Sequence, residues 1–283
     1  MSGNIIINNK TMIRTLATAI LFSLASQCFA QAPKKQNQKE KDDFFQKIEK
    51  VNLLLEKYRR LSPLSEEENK ARIIDSTGNE IISGLLKILN DKKILLYKIE
   101  MFLDENGLSI SKSSDSRIYF FSIDAKTGGS VKSNKTIIHY RLPNGEVKAR
   151  LFGGEASEAL AISAYEKVHL LDSVSRQYFV IGRVNTCNTC ISSLAITIKL
   201  DSSAYKTELV AQYEGRISNL VNLEFNPAAK ELLFEYYTAD KDDALYASDN
   251  DKPQFLHRYK SKFKYLFGEL IEIERCEFLD KRD

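Results

Sequence analysis

The chain has no tryptophan, only three histidines and only four cysteines among its 283 residues. The histidines, His139, His169 and His257, are far apart and in no ligand spacing, so no histidine-rich metal site is written into a local segment. The short catalytic signatures are missing too: there is no G-x-S-x-G elbow, no HExxH and no phosphate-binding P-loop. These absences leave open a triad assembled from distant residues. Neither sign of charge dominates. Lys and Arg number 41 against 38 Asp and Glu, for a net charge of +3, which is no electrostatic footprint for nucleic acid. After the first thirty residues no apolar run approaches the ~18 that suggest a membrane-spanning helix, so no transmembrane anchor is expected in the mature chain.

What is present begins with an export signal. Lys10 and Arg14 supply positive charge, and residues 1–30 contain no acidic group. The apolar stretch Leu16 to Ala25 follows, too short to cross a bilayer. Cys28 and Ala30 then place small side chains before a cleavage point at Gln31. Gln27, directly before Cys28, is not the small residue that a lipoprotein signal wants. The expectation is a cleaved signal peptide over 1–30, starting from Met1 or Met12, and a periplasmic or extracellular mature protein.

Residues 31–42 are polar, charged and low in complexity, and read as a flexible leader. From 43 to 92 the pattern is helical. Phe44, Ile48, Val51, Leu55 and Tyr58 share one face. Ser65–Glu68 and Thr77–Glu80 look like capping boxes, so three helices are expected before Asn90. A further helical segment over 95–103 is possible. The helical segment is expected to dock by its Phe44–Tyr58 face and to be less essential to folding than the β region.

From about Leu108 the period changes to two, and the region 93–283 reads as an antiparallel β domain. An aromatic, β-branched strand over 117–123 ends in the turn Asp124, Ala125, Lys126, Thr127, Gly128, Gly129. Pro143-Asn144-Gly145 separates two strands as a hairpin turn would. In the strand over 194–200, Leu194, Ile196, Ile198 and Leu200 alternate with Ala195, Thr197 and Lys199. Tyr259, Phe263 and Tyr265 likewise alternate with Lys260, Lys262 and Lys264, the mark of a half-buried strand with a basic face. Short strands joined by short turns exclude parallel crossover units. They group into runs of about 108–152, 163–214 and 220–275, each the size of a propeller blade. The fold expected is mainly β, an antiparallel meander with a propeller-like layout, the alternatives being a β-sandwich or a barrel.

The run Ser114-Asp115-Ser116-Arg117, the aromatic strand after it and the Asp124 to Gly129 turn resemble a group of exported, β-rich Bacteroidetes proteins. The similarity extends through Phe225-Asn226-Pro227, Lys230 and Phe234-Glu235-Tyr236-Tyr237, covering roughly 80–275. Ile123 stands where those proteins often carry tryptophan. The resemblance implies export and β architecture, and transfers no catalytic residue.

The sharpest local motif is Cys187-Asn-Thr-Cys190. Strands flank it on both sides, whereas a thioredoxin-type pair opens a helix whose N-terminus lowers the thiol pKa. A local disulfide is the expectation, with free thiols, redox chemistry or zinc as its rivals; no second cysteine pair completes a zinc site. Asp240, Asp242, Asp243, Asp249 and Asp251 could offer oxygen ligands to calcium but lack the EF-hand glycine and terminal glutamate, so a solvated acidic loop is expected. Of the many tyrosines, Tyr236 and Tyr237 point to opposite faces of one strand, and one of them would be open to a ligand if a face is solvated. Together these features favour a non-catalytic binding module with a protein or glycan partner in the cell envelope. No catalytic, cofactor-binding or metal-ligating residues are assigned. The alternative is a hydrolase of envelope polymers built on scattered acidic or histidine residues.

Overall fold

The computed structural model describes residues 32–62, 69–101, 103, 107–127, 133–153, 158–185, 191–215, 221–239 and 255–281. Residues 1–30, where a signal peptide was expected, lie outside them. Two compact units, Met1–Glu49 and Lys50–Asp283, make up the chain. The first unit contains the start of helix α1 (Ala32–Arg60), on which Phe44 and Ile48 are buried. Helix already runs through 32–42, where a flexible leader was expected. Lys, Gln and Glu are good helix formers, and extending a helix costs far less than nucleating one.

In the second unit, α1 continues through Val51, Leu55 and Tyr58, all buried. Helix α2 (Lys70–Leu89) lies against it. Gly84 makes this approach possible, since a Cβ there would sit 2.6 Å from Val51 Cγ2. The three expected helices are thus two. Thr77 and Gly78 do not start a helix; they are buried inside α2, with Gly78 facing the Tyr58 ring. Residues 65–68 are outside the described set. Two 3₁₀ turns, Lys92–Leu96 and Ile99–Met101, occupy the ambiguous helical stretch. The expected boundary at 92–93 lies inside this second unit.

Twelve strands follow among the described residues, in three four-stranded antiparallel sheets. Sheet 1 holds β1 (Leu108–Lys112), β2 (Ile118–Asp124), β3 (Asn134–Arg141) and β4 (Val147–Leu151). After a short helix α3 (Glu158–Ile162) comes sheet 2, with β5 (Ala164–Asp172), β6 (Gln177–Asn185), β7 (Ile191–Leu200) and β8 (Tyr205–Gly215). Sheet 3 holds β9 (Val221–Asn226), β10 (Glu231–Ala239), β11 (Phe255–Leu266) and β12 (Glu269–Lys281). Every sheet is a meander in sequence order, and the three agree closely with the runs read from the sequence. None of them closes, so the barrel alternative is set aside.

Alternation explains how the sheets stack. Ile118, Phe120, Ile138 and Tyr140 of sheet 1 pack with Tyr178, Val180, Leu194, Ile196 and Ile198 of sheet 2. The other face of sheet 2, through Phe179, Ile181 and Ala195, packs on Leu223, Leu232 and Phe234 of sheet 3. Sheet 2 is therefore apolar on both sides. Opposite its sheet 2 contact, sheet 1 turns Phe121, Ile123 and Ile137 toward the helices, and all three are buried. Lys135 Nζ donates to Asn79 Oδ1 at 3.0 Å, and the Asn90 amide bonds both backbone groups of Ala149, tying α2 to β3 and β4. The outer face of sheet 3 carries charge instead. Lys262 and Lys264 of β11 reach Glu231 of β10 at 2.9 and 3.4 Å, and Arg258 reaches Glu235 at 3.2 Å.

The first hairpins of the three sheets have turns of equal length, and those of sheets 2 and 3 are alike in their bonding. Four residues separate the pairs Ser113 and Ile118, Asp172 and Gln177, and Asn226 and Glu231. A side-chain oxygen at the first position accepts backbone N–H groups of the turn: Ser113 Oγ from Arg117 and Ile118, Asp172 Oδ1 from Val174, Asn226 Oδ1 from Ala228 and Ala229. A residue with positive φ follows in each, Ser116, Arg176 or Lys230. The residues after the turn then point alike, with Tyr119 and Phe121, Tyr178 and Val180, and Leu232 and Phe234 all directed toward the preceding layer.

Candidate binding surface

The turn singled out in the sequence has a structural place. Asp124 Oδ1 accepts the Lys126 N–H at 2.8 Å, and Lys126 takes a positive φ. Its ammonium then donates to the carbonyls of Tyr58, Arg59 and Leu61 at the end of α1 and just beyond it, where helical carbonyls run out of backbone partners. Tyr58 OH returns a bond to the Asp124 carbonyl at 3.0 Å, and burial, with Asp124 and Asp75 nearby, pushes its phenol up to about 12. Thr127 accepts from Ser133 at 3.4 Å. Gly128 and Gly129 lie outside the described residues.

The Ser114–Arg117 run is also structural. Asp115 accepts from Ser113 Oγ at 2.6 Å and from Tyr178 OH at 2.8 Å, so the first turn of sheet 1 is bonded to sheet 2. Burial, followed by the Asp115 bond, raises the Tyr178 pKa. A matching link joins sheets 2 and 3, where Tyr265 OH donates to Gln177 Oε1 and Gln177 Nε2 donates to the Gly268 carbonyl, each at 2.7 Å.

The titratable groups offer little chemistry. His139 is 5% exposed, neither ring nitrogen has a hydrogen-bond partner, and burial with Arg141 nearby pulls its pKa down to about 4. It packs beside Tyr119 at 5.8 Å between centroids. His169 packs on Phe225, which in turn stacks on Phe179, and its pKa is lowered first by burial and then by Lys167. The side chain of His257, the Cys187–Cys190 loop and the aspartates from 240 to 251 lie outside the described residues. Among the described residues no three His, Cys, Asp or Glu side chains gather as a metal site, and no helix is long and apolar enough to cross a membrane.

A concavity of roughly 430 Å³ lies on the outer face of sheet 3, lined by Glu224, Asn226, Glu231, Leu233, Lys260, Lys262 and Glu274 among others. Hydrogen bonds from Lys262 and then Lys264 hold Glu231 below the usual carboxylate range. A general acid for glycoside cleavage needs the opposite shift.

The opposite face of sheet 3 carries an aromatic row. Tyr236 of β10 lies across from Tyr259 of β11, and their rings stack at 5.1 Å with an interplanar angle of 18°. Phe234 continues the row at 5.0 Å from Tyr236. Beyond Tyr259, Arg275 of β12 stands over the ring at 5.7 Å, and Tyr259 OH donates to Glu277 Oε1 at 3.0 Å. That bond, ahead of burial, raises the Tyr259 pKa, so the phenol stays protonated and donating. Both tyrosines are partly exposed, whereas Phe234 is buried. The row is thus an apolar strip whose far end offers a phenol, a carboxylate and a guanidinium on two adjacent strands. The sequence pointed to Tyr236 and missed Tyr259, because the pairing crosses strands 23 residues apart. Tyr237, opposite Arg258 in the register, belongs to the other face by alternation; its side chain is outside the described set.

No protein-family model matches the chain, and neither does any curated protein or solved structure.

Proposed function

We propose that the chain is an exported, non-catalytic binding module whose recognition strip is the row Tyr236, Tyr259, Glu277 and Arg275. The observation that carries this reading is the stacked, partly exposed tyrosine pair with charged groups at its end. Tyrosine brings a large apolar area and a hydrogen-bonding tip at small entropic cost, the combination favoured at recognition surfaces. A sheet fixes it in place, as a binding constellation requires. The partner is a protein or glycan of the cell envelope.

The compartment rests on the charge, apolar stretch and small residues of 1–30. Export also supports a disulfide between Cys187 and Cys190, since thiols pair outside the reducing cytoplasm. The propeller-like layout belongs to the same reading. Three successive four-stranded meanders, stacked face to face and opening on turns of equal length, are what blades look like. The charged outer face of sheet 3 is the kind of polar surface that repeat arrays carry on an outer layer.

Sedimentation of the purified protein with isolated peptidoglycan and envelope polysaccharide, and chemical cross-linking to defined envelope proteins, tests the binding. Tyr259→Ala is expected to weaken the captured interaction at least about tenfold, as truncation of a central aromatic does. Binding unchanged by Tyr259→Ala would remove the strip from the site. Retention of residues 1–30 in protein taken from the cell envelope would count against cleavage after Ala30.

A further inference from the structure

We infer that β12 is a pairing edge for a second copy of this chain, joining two sheets 3 antiparallel about a two-fold axis at Cys276. Among the described residues β12 is an edge strand of its sheet, hydrogen-bonded by β11 alone, and it runs from Glu269 to Lys281. Natural edges are kept short or covered, because their outward N–H and C=O groups form a template for another strand. β12 is long, and its Ile271, Ile273 and Phe278 are between 39% and 46% exposed. Its first half is marked by an irregularity in pairing with β11 at Lys262 and Phe263, whereas from Glu274 to Lys281 the register is regular. The regular half is the part suited to accept a strand.

The side chains select both partner and register. In an antiparallel pair of identical strands centred on Cys276, Arg275 of one copy stands opposite Glu277 of the other, and the reverse pair repeats it. Opposite charges placed directly across an antiparallel pair are favourable and like charges are not. Centring on Arg275 sets Arg against Arg, and centring on Glu277 or Glu274 sets Glu against Glu. Moving the axis half a step toward Arg275 opposes Glu274 to Glu277. A register between Ile273 and Glu274 pairs Glu272 with Arg275, but its centre falls on the irregular part of β12. Beyond 273–279 the chosen register sets Glu272 against Asp280, which bounds the pairing. Glu277 keeps its bond from Tyr259, and Arg275 its place near that ring, because both lie on one face of the sheet while pairing occurs in its plane.

Cys276 is a free thiol, partly exposed, and reports the register. At the axis the two thiols face one another across neighbouring strands, close to the spacing that a disulfide spans. Sedimentation equilibrium on the full chain under reducing conditions is expected to show a concentration-dependent dimer. Arg275→Glu alone and Glu277→Arg alone should each weaken the dimer at least about tenfold, and the double exchange should restore it. In a variant with Cys28, Cys187 and Cys190 replaced by serine, mild copper-phenanthroline oxidation should give a disulfide dimer, and Cys276→Ser should abolish it. A monomer at the highest soluble concentration overturns the inference, as does a dimer indifferent to both charge reversals. A dimer that fails to cross-link through Cys276 overturns the register. The charge exchange leaves every cysteine in place, so it decides the matter even if the serine variant fails to fold.

Discussion

Among single residues, His139 has the clearest consequence. Both its nitrogens are buried without partners, and its pKa stands at about 4 against an ordinary 6.5. The unfolded chain therefore binds a proton more readily than the folded one between those values, and stability must rise with pH across that window. It is complete above pH 6.5 and is lost as pH falls toward 4. At 1.36 kcal/mol per pKa unit, the loss is about 3 kcal/mol. His169, shifted the same way, adds to it. His139→Leu should flatten the pH dependence of the urea midpoint between pH 4 and 6.5, and a midpoint as steep in the variant as in the parent would assign the effect to other groups. From the sequence His139 read as a structural histidine within a strand; its isolation from any partner was not legible, because it depends on what the helices place above that strand.

For the elements, the connections decide more than the strands. Gly153 follows β4 with a φ of +85°, and a Cβ there would come within 2.5 Å of the backbone of Leu160 and Ala161 in α3. Gly145, in the Pro143-Asn144-Gly145 turn, has the same φ with nothing within 4 Å. Gly145→Ala should cost about 1 kcal/mol, the left-handed penalty alone. Gly153→Ala should cost more than about 2 kcal/mol, since backbone must move as well. Equal urea midpoints for the two variants would show that α3 yields freely. The hairpin at Asn144-Gly145 was readable because that dipeptide is nearly specific to its turn. The equal length of the first turns was not, because Ser113, Asp172 and Asn226 supply the accepting oxygen from three different side chains. Residues 194–200 were read as alternating, and the structure buries most of the second set too: Ala195 is inaccessible and Thr197 only 5% exposed, while Lys199 stays exposed. Alternation identified the strand, but only the stacking of a third sheet tells which face meets solvent. Thr77-Gly78 misled for a related reason: the glycine that reads as a break is buried within α2 beside the Tyr58 ring.

At the scale of the whole molecule, the helices behave as a layer of the stack. The sequence ranked them as less essential than the strands, yet Phe121, Ile123 and Ile137 are at most 1% exposed beneath them. Uncovering three such side chains costs roughly 5 kcal/mol by transfer arithmetic. A chain of residues 92–283 should therefore melt more than about 10 °C below the full protein and bind a hydrophobic dye. Melting within a few degrees of the parent would show that sheet 1 rearranges to cover itself.

Stacking in sequence order also sets a timetable. Each sheet is a meander of neighbouring strands, so its own pairing closes only short loops and needs nothing distant. Its faces are another matter, since the apolar side of sheet 1 waits for sheet 2, and the far side of sheet 2 waits for sheet 3. A chain emerging from its N-terminus always carries one unfinished apolar face at its growing end. Only β9 to β12, the last to appear, bring a surface that water can finish. Termination between sheets 2 and 3 would leave the far face of sheet 2 bare and sticky, whereas sheet 3 covers it with a layer whose other face is charged.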